Sequence, residues 1–146
     1  MGKPIRILFV CTGNSARSQM AEGFARHYGA GRVEADSAGM EPTQLNSNAV
    51  AVMREKGIDI SGQQSKAFDK ALAREMDYVI TVCGNAEERC PVLPPEVRRL
   101  HWPLEDPARA RGTPEEILAI FRRSRDEIEP LVRDFVGKVT RAGGNP

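Results

Sequence analysis

The stretch Ile5-Arg-Ile-Leu-Phe-Val10-Cys11-Thr12-Gly13-Asn14-Ser15-Ala16-Arg17-Ser18 decides how the rest of the chain is read. Ile5 to Val10 is an apolar run broken only by Arg6 and ending at Cys11, the pattern of a buried parallel strand. Thr12 to Arg17 has loop composition. Ser18 to Tyr28 then reads as a helix with Met20, Ala21, Phe24 and Ala25 on its apolar side, stopped by Gly29 and Gly31. In open α/β sheets, ligands bind beyond the carboxyl ends of strands. A loop entering a helix there aims several backbone N–H groups at one point, with the positive end of the helix dipole behind them. Gly13 is read as supplying the backbone freedom that a curled loop needs. Arg17 offers a planar fork matched to two oxygens of a tetrahedral oxyanion. The same donors favour the thiolate of Cys11, and Ser18 can give the sulfur a further hydrogen bond. A Cys-x5-Arg spacing alone would equally fit a buried cysteine followed by a turn. The order strand, glycine loop, Ser18, helix is what points to an anion site.

Outward from this unit, strands and helices alternate. Val33 to Ala38 is a weaker strand, and Asn46 to Lys56 a helix with Ala49, Val50, Val52 and Met53 on its apolar face and Gly57 at its end. Asp77 to Val82 is a strong strand that stops at Cys83, as the first stops at Cys11. A short helix through Ala86 to Arg89 follows, closed by Cys90 and Pro91, and Val97 to Trp102 is a fourth strand. Pro114 to Lys138 is a long helix that Pro130 is expected to bend or divide, and residues 139–146 are expected to form a frayed tail. This alternation predicts a single-domain α/β protein with a doubly wound parallel sheet.

The composition excludes several classes. With 21 basic and 20 acidic residues in 146, no global field favours nucleic acid or membrane, so an anion site must be local. No apolar run is long enough to span a bilayer, and no signal-like core precedes a small-residue cleavage site. A cytoplasmic location and a monomer are the expectations. Three cysteines would leave one unpaired in a static disulfide framework, whereas in a reducing compartment they are catalytic, redox-active or simply buried. The two histidines, His27 and His101, are too few and too far apart for a metal site, so no metal is expected.

Cys11 to Ser18, continuing into Gln19-Met-Ala-Glu22-Gly23, resembles the signature of the low-molecular-weight tyrosine phosphatases and the related arsenate reductases. The resemblance covers nearly the whole chain and implies a four-stranded parallel sheet flanked by helices. It implies substrate contacts from Thr12, Gly13, Asn14, Ser15, Ala16 and Arg17. In Glu105-Asp106-Pro107 it makes Asp106 the general acid, although an Asp-Pro pair can also be only a turn opener. It assigns Asn14, Glu22 and Ser37 to bracing the loop. Some relatives bind potassium with an Asp where this chain has Lys66, whose ammonium is expected to replace the ion beside Glu22.

Cys83-Gly-Asn-Ala-Glu-Glu-Arg-Cys90 separates the two branches. A phosphatase needs one nucleophilic thiol and nothing here, whereas a reductase must deliver two electrons to As(V). The segment Val82 to Pro95 looks like the thioredoxin-coupled arsenate reductases, and Gln19 also resembles that branch. The likeness implies a relay: Cys11 attacks arsenate, Cys83 attacks Cys11, and Cys90 attacks Cys83. No cofactor is expected to be bound, and the electrons are expected from a reduced dithiol protein such as thioredoxin. Residues seven apart in an α-helix stand about 10.5 Å apart, and a disulfide needs Cα atoms within roughly 4.4–6.8 Å. The relay therefore demands that the helix between Cys83 and Cys90 unwind. Alternatives are a low-molecular-weight tyrosine phosphatase, with both thiols as buried packing groups, and a non-enzymatic redox-responsive binding module.

Overall fold

The computed structural model describes residues 2–144, with side chains through Arg141. Strand β1 (Ile5–Cys11) is followed by α1 (Arg17–Gly29), β2 (Val33–Gly39), α2 (Ser47–Arg54) and α3 (Lys70–Arg74). Then come β3 (Tyr78–Thr81), α4 (Gly84–Arg89), β4 (Arg98–His101), a 3-10 turn at Pro107–Arg109 and α5 (Pro114–Gly144). The four strands form one sheet in the order β2-β1-β3-β4, every pair parallel. Ile7 to Cys11 are all buried because β1 is central and covered on both faces, which explains its unbroken apolar run.

The helices bury their apolar stripes against this sheet. Phe121, Ile128, Val132, Val136 and Val139 of α5 recur at helical spacing and all enter the core. α5 packs on α1, where Tyr28 Oη donates to Glu129 Oε2 at 2.5 Å. Exposed Glu55, just past α2, is held by Arg122 and Arg125 of α5, whose hydrogen bonds keep its carboxyl at about 2. Each apolar side chain fully removed from water contributes about 1.5–3 kcal/mol before entropy is counted.

Several sequence expectations need correction. Pro130 does not divide α5, which runs unbroken through it. The tail expected to fray from residue 139 is helical through Gly144: Val139 is buried, and Arg32 Nη2 donates to the Thr140 carbonyl at 2.9 Å. Asn145 and Pro146 lie outside the described residues. Gly29 is the last residue of α1 rather than its stop, and Ala30 takes the left-handed conformation that ends it. A Cβ on Gly29 would lie 2.6 Å from Val33 Cβ, so its smallness serves packing. Helix α3 escaped the sequence reading because its five residues carry too little periodicity, with Ala73 alone buried.

Candidate active site

Cys11 closes β1, and the chain curls through Thr12–Ala16 before α1 begins. The loop is held from outside by four backbone bonds. The N–H groups of Met40, Glu41, Thr43 and Asn46 donate to the carbonyls of Cys11, Thr12, Gly13 and Ser15 at 3.0, 2.8, 3.0 and 3.0 Å. Fixing these carbonyls outward turns the opposing loop N–H groups toward the mouth. The Asn14 N–H meets Cys11 Sγ at 3.1 Å. α1 starts without a side-chain cap, so no side chain competes for its first N–H groups.

The left-handed residue in this curl is Asn14, at φ 48°, and not Gly13 as the sequence suggested. Asn tolerates that region because its short polar side chain bonds locally. Asn14 Nδ2 donates to Ser18 Oγ at 2.8 Å and Ser37 Oγ at 2.9 Å, and Asn14 Oδ1 accepts the Lys66 N–H at 2.9 Å. Because Ser18 Oγ accepts from Asn14, its own proton is free for Cys11 Sγ, 2.8 Å away. Ser37 in turn donates to buried Glu22 at 2.6 Å, and Arg26 pairs with Glu22 at 2.6 Å. Burial nevertheless leaves the Glu22 carboxyl above its ordinary value, the bonds from Ser37 and Arg26 offsetting only part of that cost.

The Lys66 charge does favour the Glu22 carboxylate, but from a distance and less than that of Arg26. The Lys66 ammonium bonds Asp36, and Arg26, which the sequence reading passed over, neutralises Glu22 directly. Lys66 braces the loop through its backbone. Gln19, fully buried, donates to the Asn14 carbonyl at 2.9 Å. Gly39 also went unrecognised: a Cβ there would lie 2.6 Å from the Thr12 carbonyl and 2.8 Å from the Asn14 nitrogen. Neither it nor the Met40–Asn46 rim carries a sequence signal, because main-chain donors and missing side chains have no motif.

Two adjoining clefts open above the loop, of about 520 and 600 Å³, sharing Thr12, Arg17 and Asp106. Cys11 lines the first and Cys83 the second. Arg17 is buried, with Nη1 on the Leu104 carbonyl at 3.0 Å and Nη2 3.6 Å from Asp106 Oδ2. The other carboxyl oxygen of Asp106 caps the 3-10 turn at Ala108 N, 3.0 Å. Thus guanidinium and carboxyl converge on the mouth from opposite sides of the chain.

Cys83 precedes α4 and caps it, its sulfur 3.4 Å from Ala86 N. Thr12 Oγ1 lies 3.3 Å from Cys83 Sγ while accepting from Asn85 Nδ2 at 2.9 Å, which leaves the hydroxyl proton for the sulfur. Cys90 closes α4 at its other end; burial pushes its thiol up, and nearby Arg99 opposes this only partly. All three cysteines are buried and unpaired.

A thiol cradled by backbone donors at a strand end, with an arginine and an acid at the mouth, defines an oxyanion-handling α/β protein of the phosphatase type. The chain belongs to the low molecular weight phosphotyrosine protein phosphatase family, whose pattern matches residues 6–144. An arsenate reductase of Bacillus subtilis (strain 168) is 51% identical over 129 residues, 88% of this chain and 93% of that protein. A solved arsenate reductase in its phosphate-binding state aligns with a TM-score of 0.73 at 38% identity, covering 92% of this chain and 98% of that one. The thioredoxin-dependent arsenate reductase of Corynebacterium glutamicum aligns with a TM-score of 0.77 at 28% identity, over 98% of this chain and 65% of that one.

Proposed function

We propose that this protein is an arsenate reductase in which Cys11, Cys83 and Cys90 act in series and a thioredoxin-type dithiol restores them. The observation that carries this reading is the bond between Cys83 and Thr12: a second thiol stands against the oxyanion loop, with a third at the far end of a six-residue helix.

The loop N–H groups and Arg17 hold the arsenate oxygens, and Cys11 sulfur attacks arsenic. Asp106 gives its proton to the departing oxygen, a step typically worth about 10²–10⁴ in rate. Cys83 thiolate then attacks Cys11 Sγ. The S–As bond breaks with its electron pair passing to arsenic, As(V) becomes As(III), and arsenite leaves behind a Cys11–Cys83 disulfide. Cys90 thiolate attacks Cys83 Sγ, Cys11 departs as thiolate, and Cys83–Cys90 remains for the external dithiol. A phosphatase reaction would use the same loop and Asp106 but gives Cys83 and Cys90 nothing to do.

The test is arsenate-dependent NADPH consumption with thioredoxin and thioredoxin reductase, comparing wild type with Cys83→Ser and Cys90→Ser. Consumption by wild type and its loss in both variants is expected. A wild type that consumes no NADPH yet hydrolyses p-nitrophenyl phosphate would transfer the assignment to a phosphatase. Because Arg26 and Lys66 already neutralise Glu22 and Asp36, exchanging sodium for potassium should leave the rate within about twofold. A strong potassium-specific activation would contradict that.

A further inference from the structure

Helix α4 is six residues long, buries only Ala86, and leaves Gly84, Asn85, Glu88 and Arg89 exposed. Such a segment is marginal by its own propensity, and its last carbonyls have no intrahelical partners. One side chain supplies a partner for one of them and for the two carbonyls that follow the helix. Arg99, on strand β4, donates from Nη2 to the Glu87 carbonyl at 2.7 Å. From Nη1 it donates to the carbonyls of Cys90 at 3.3 Å and Pro91 at 3.0 Å. The same guanidinium pairs with Glu87 Oε1 through Nε at 3.2 Å and Nη2 at 3.1 Å. Thr81 Oγ1 completes the set with a 2.9 Å bond to that oxygen and is itself 2.9 Å from His101 Nδ1. Strands β3 and β4 thus grip the C-terminal end of α4 where Cys90 leaves it.

We propose that Arg99 is a positioning residue for the relay: its grip on the Glu87, Cys90 and Pro91 carbonyls keeps α4 helical, and so sets how readily the Cys83–Cys90 disulfide forms. The inference rests on the relay put forward above. While α4 is intact, the two sulfur-bearing residues are seven positions apart, about 10.5 Å along a helix, beyond the roughly 4.4–6.8 Å a disulfide requires. Forming the bond therefore requires releasing the Cys90 and Glu87 carbonyls from Arg99. In the relay the Cys11–Cys83 disulfide is the oxidant and Cys11 leaves as the thiolate. In the isolated couple Cys83 and Cys90 each lose a proton, one S–S bond forms, and two electrons pass to an oxidised small dithiol, which is reduced. The guanidinium belongs to the dithiol form of this equilibrium and opposes the disulfide form.

The experiment isolates that couple in a Cys11→Ser background, equilibrated in dithiothreitol redox buffers and read by thiol alkylation and mass spectrometry. Arg99→Met is expected to favour the disulfide at least tenfold, moving the midpoint about 30 mV more negative for a two-electron couple. Arg99→Lys should move it in the same direction, because an ammonium cannot fork to three carbonyls and a carboxylate together. In the reduced protein, Arg99→Met should also speed amide hydrogen exchange at Glu87 and Cys90 at least tenfold while leaving β1 amides unchanged. A midpoint unmoved in Arg99→Met overturns the proposal. Full restoration by Arg99→Lys also overturns it, since charge near Cys90 would then suffice. Exchange accelerated equally in β1 would make Arg99 a general stabiliser and overturn it as well. Failure of the parent Cys11→Ser protein to form any Cys83–Cys90 disulfide would instead bring down the relay itself.

Discussion

Cys11 ends β1 and Cys83 follows its sheet neighbour β3, each where the chain heads toward a helix, yet the two regions are built in opposite ways. Around Cys11, the loop is tied by backbone bonds from Met40–Asn46 and by the chain Arg26–Glu22–Ser37–Asn14–Ser18, most of it buried. Around Cys83, a six-residue helix is mostly exposed and held at its ends by Thr12 and Arg99. Rigidity suits a site that must aim donors at a small tetrahedral anion, where misplacement of an ångström is costly. In the proposed relay the second region comes apart and re-forms in each cycle, which calls for a stability near the low end of what the fold contains. In that relay the firmly held thiol attacks and the loosely held one travels.

The sharpest way to break this comparison is to separate the two thiol stages. Cys11→Ser should release no arsenite, a loss of at least about 10³-fold. Cys90→Ser should release about one equivalent per chain and then stop, because the Cys11–Cys83 disulfide has no onward partner. Rapid quench with arsenite quantification reads both, and steady turnover by Cys90→Ser would remove the third thiol from the scheme.

Rigidity around Cys11 is tested next by Asn14→Ala. Placing alanine in the left-handed region costs about 1–2 kcal/mol, and the lost side-chain bonds leave Ser37 and the Lys66 N–H short of partners. Together these should remove roughly 2–4 kcal/mol, seen as a fall in Tm of about 5–10 °C. A variant with unchanged Tm would mean that the rim alone holds the curl.

Gly84→Ala probes the looser region. A Cβ there meets nothing within 4 Å, so the change should tighten α4 by up to about 1 kcal/mol. Amide exchange at Glu87 and Cys90 should slow by up to about fivefold, and the Cys83–Cys90 midpoint should become less negative. Faster exchange would show that Gly84 is needed where it stands.

The smallest effect expected is a pH dependence from Glu22. Its folded-state value lies above the ordinary 4.5, so its contribution to stability is full below that pH and is lost as pH rises through the folded value. Glu22→Gln, which cannot ionise, should therefore gain stability relative to wild type on going from pH 4.5 toward neutrality. Thermal melts across that range give the sign, and a relative loss would mean that the Arg26 pair outweighs burial.

Much of this was legible in the chain. The unbroken run before Cys11 marked the central strand, and the alternation of periods gave all four strands of the sheet. The spacing of Cys11, Arg17 and Ser18 marked the loop that curls round the Cys11 sulfur, and the Cys83–Cys90 pair set the chain apart from a plain phosphatase pattern. These features are local: strand burial, helix entry and thiol spacing are written in contiguous residues. Tertiary structure alone decided that Asn14 and not Gly13 takes the left-handed turn, that Gly39 must lack a side chain, and that Arg26 neutralises Glu22. It also brought Arg99 onto the end of α4. In each case the partner is a backbone group, an absent atom or a charge far along the chain, and such pairings exist only once the sheet has set the register between its strands.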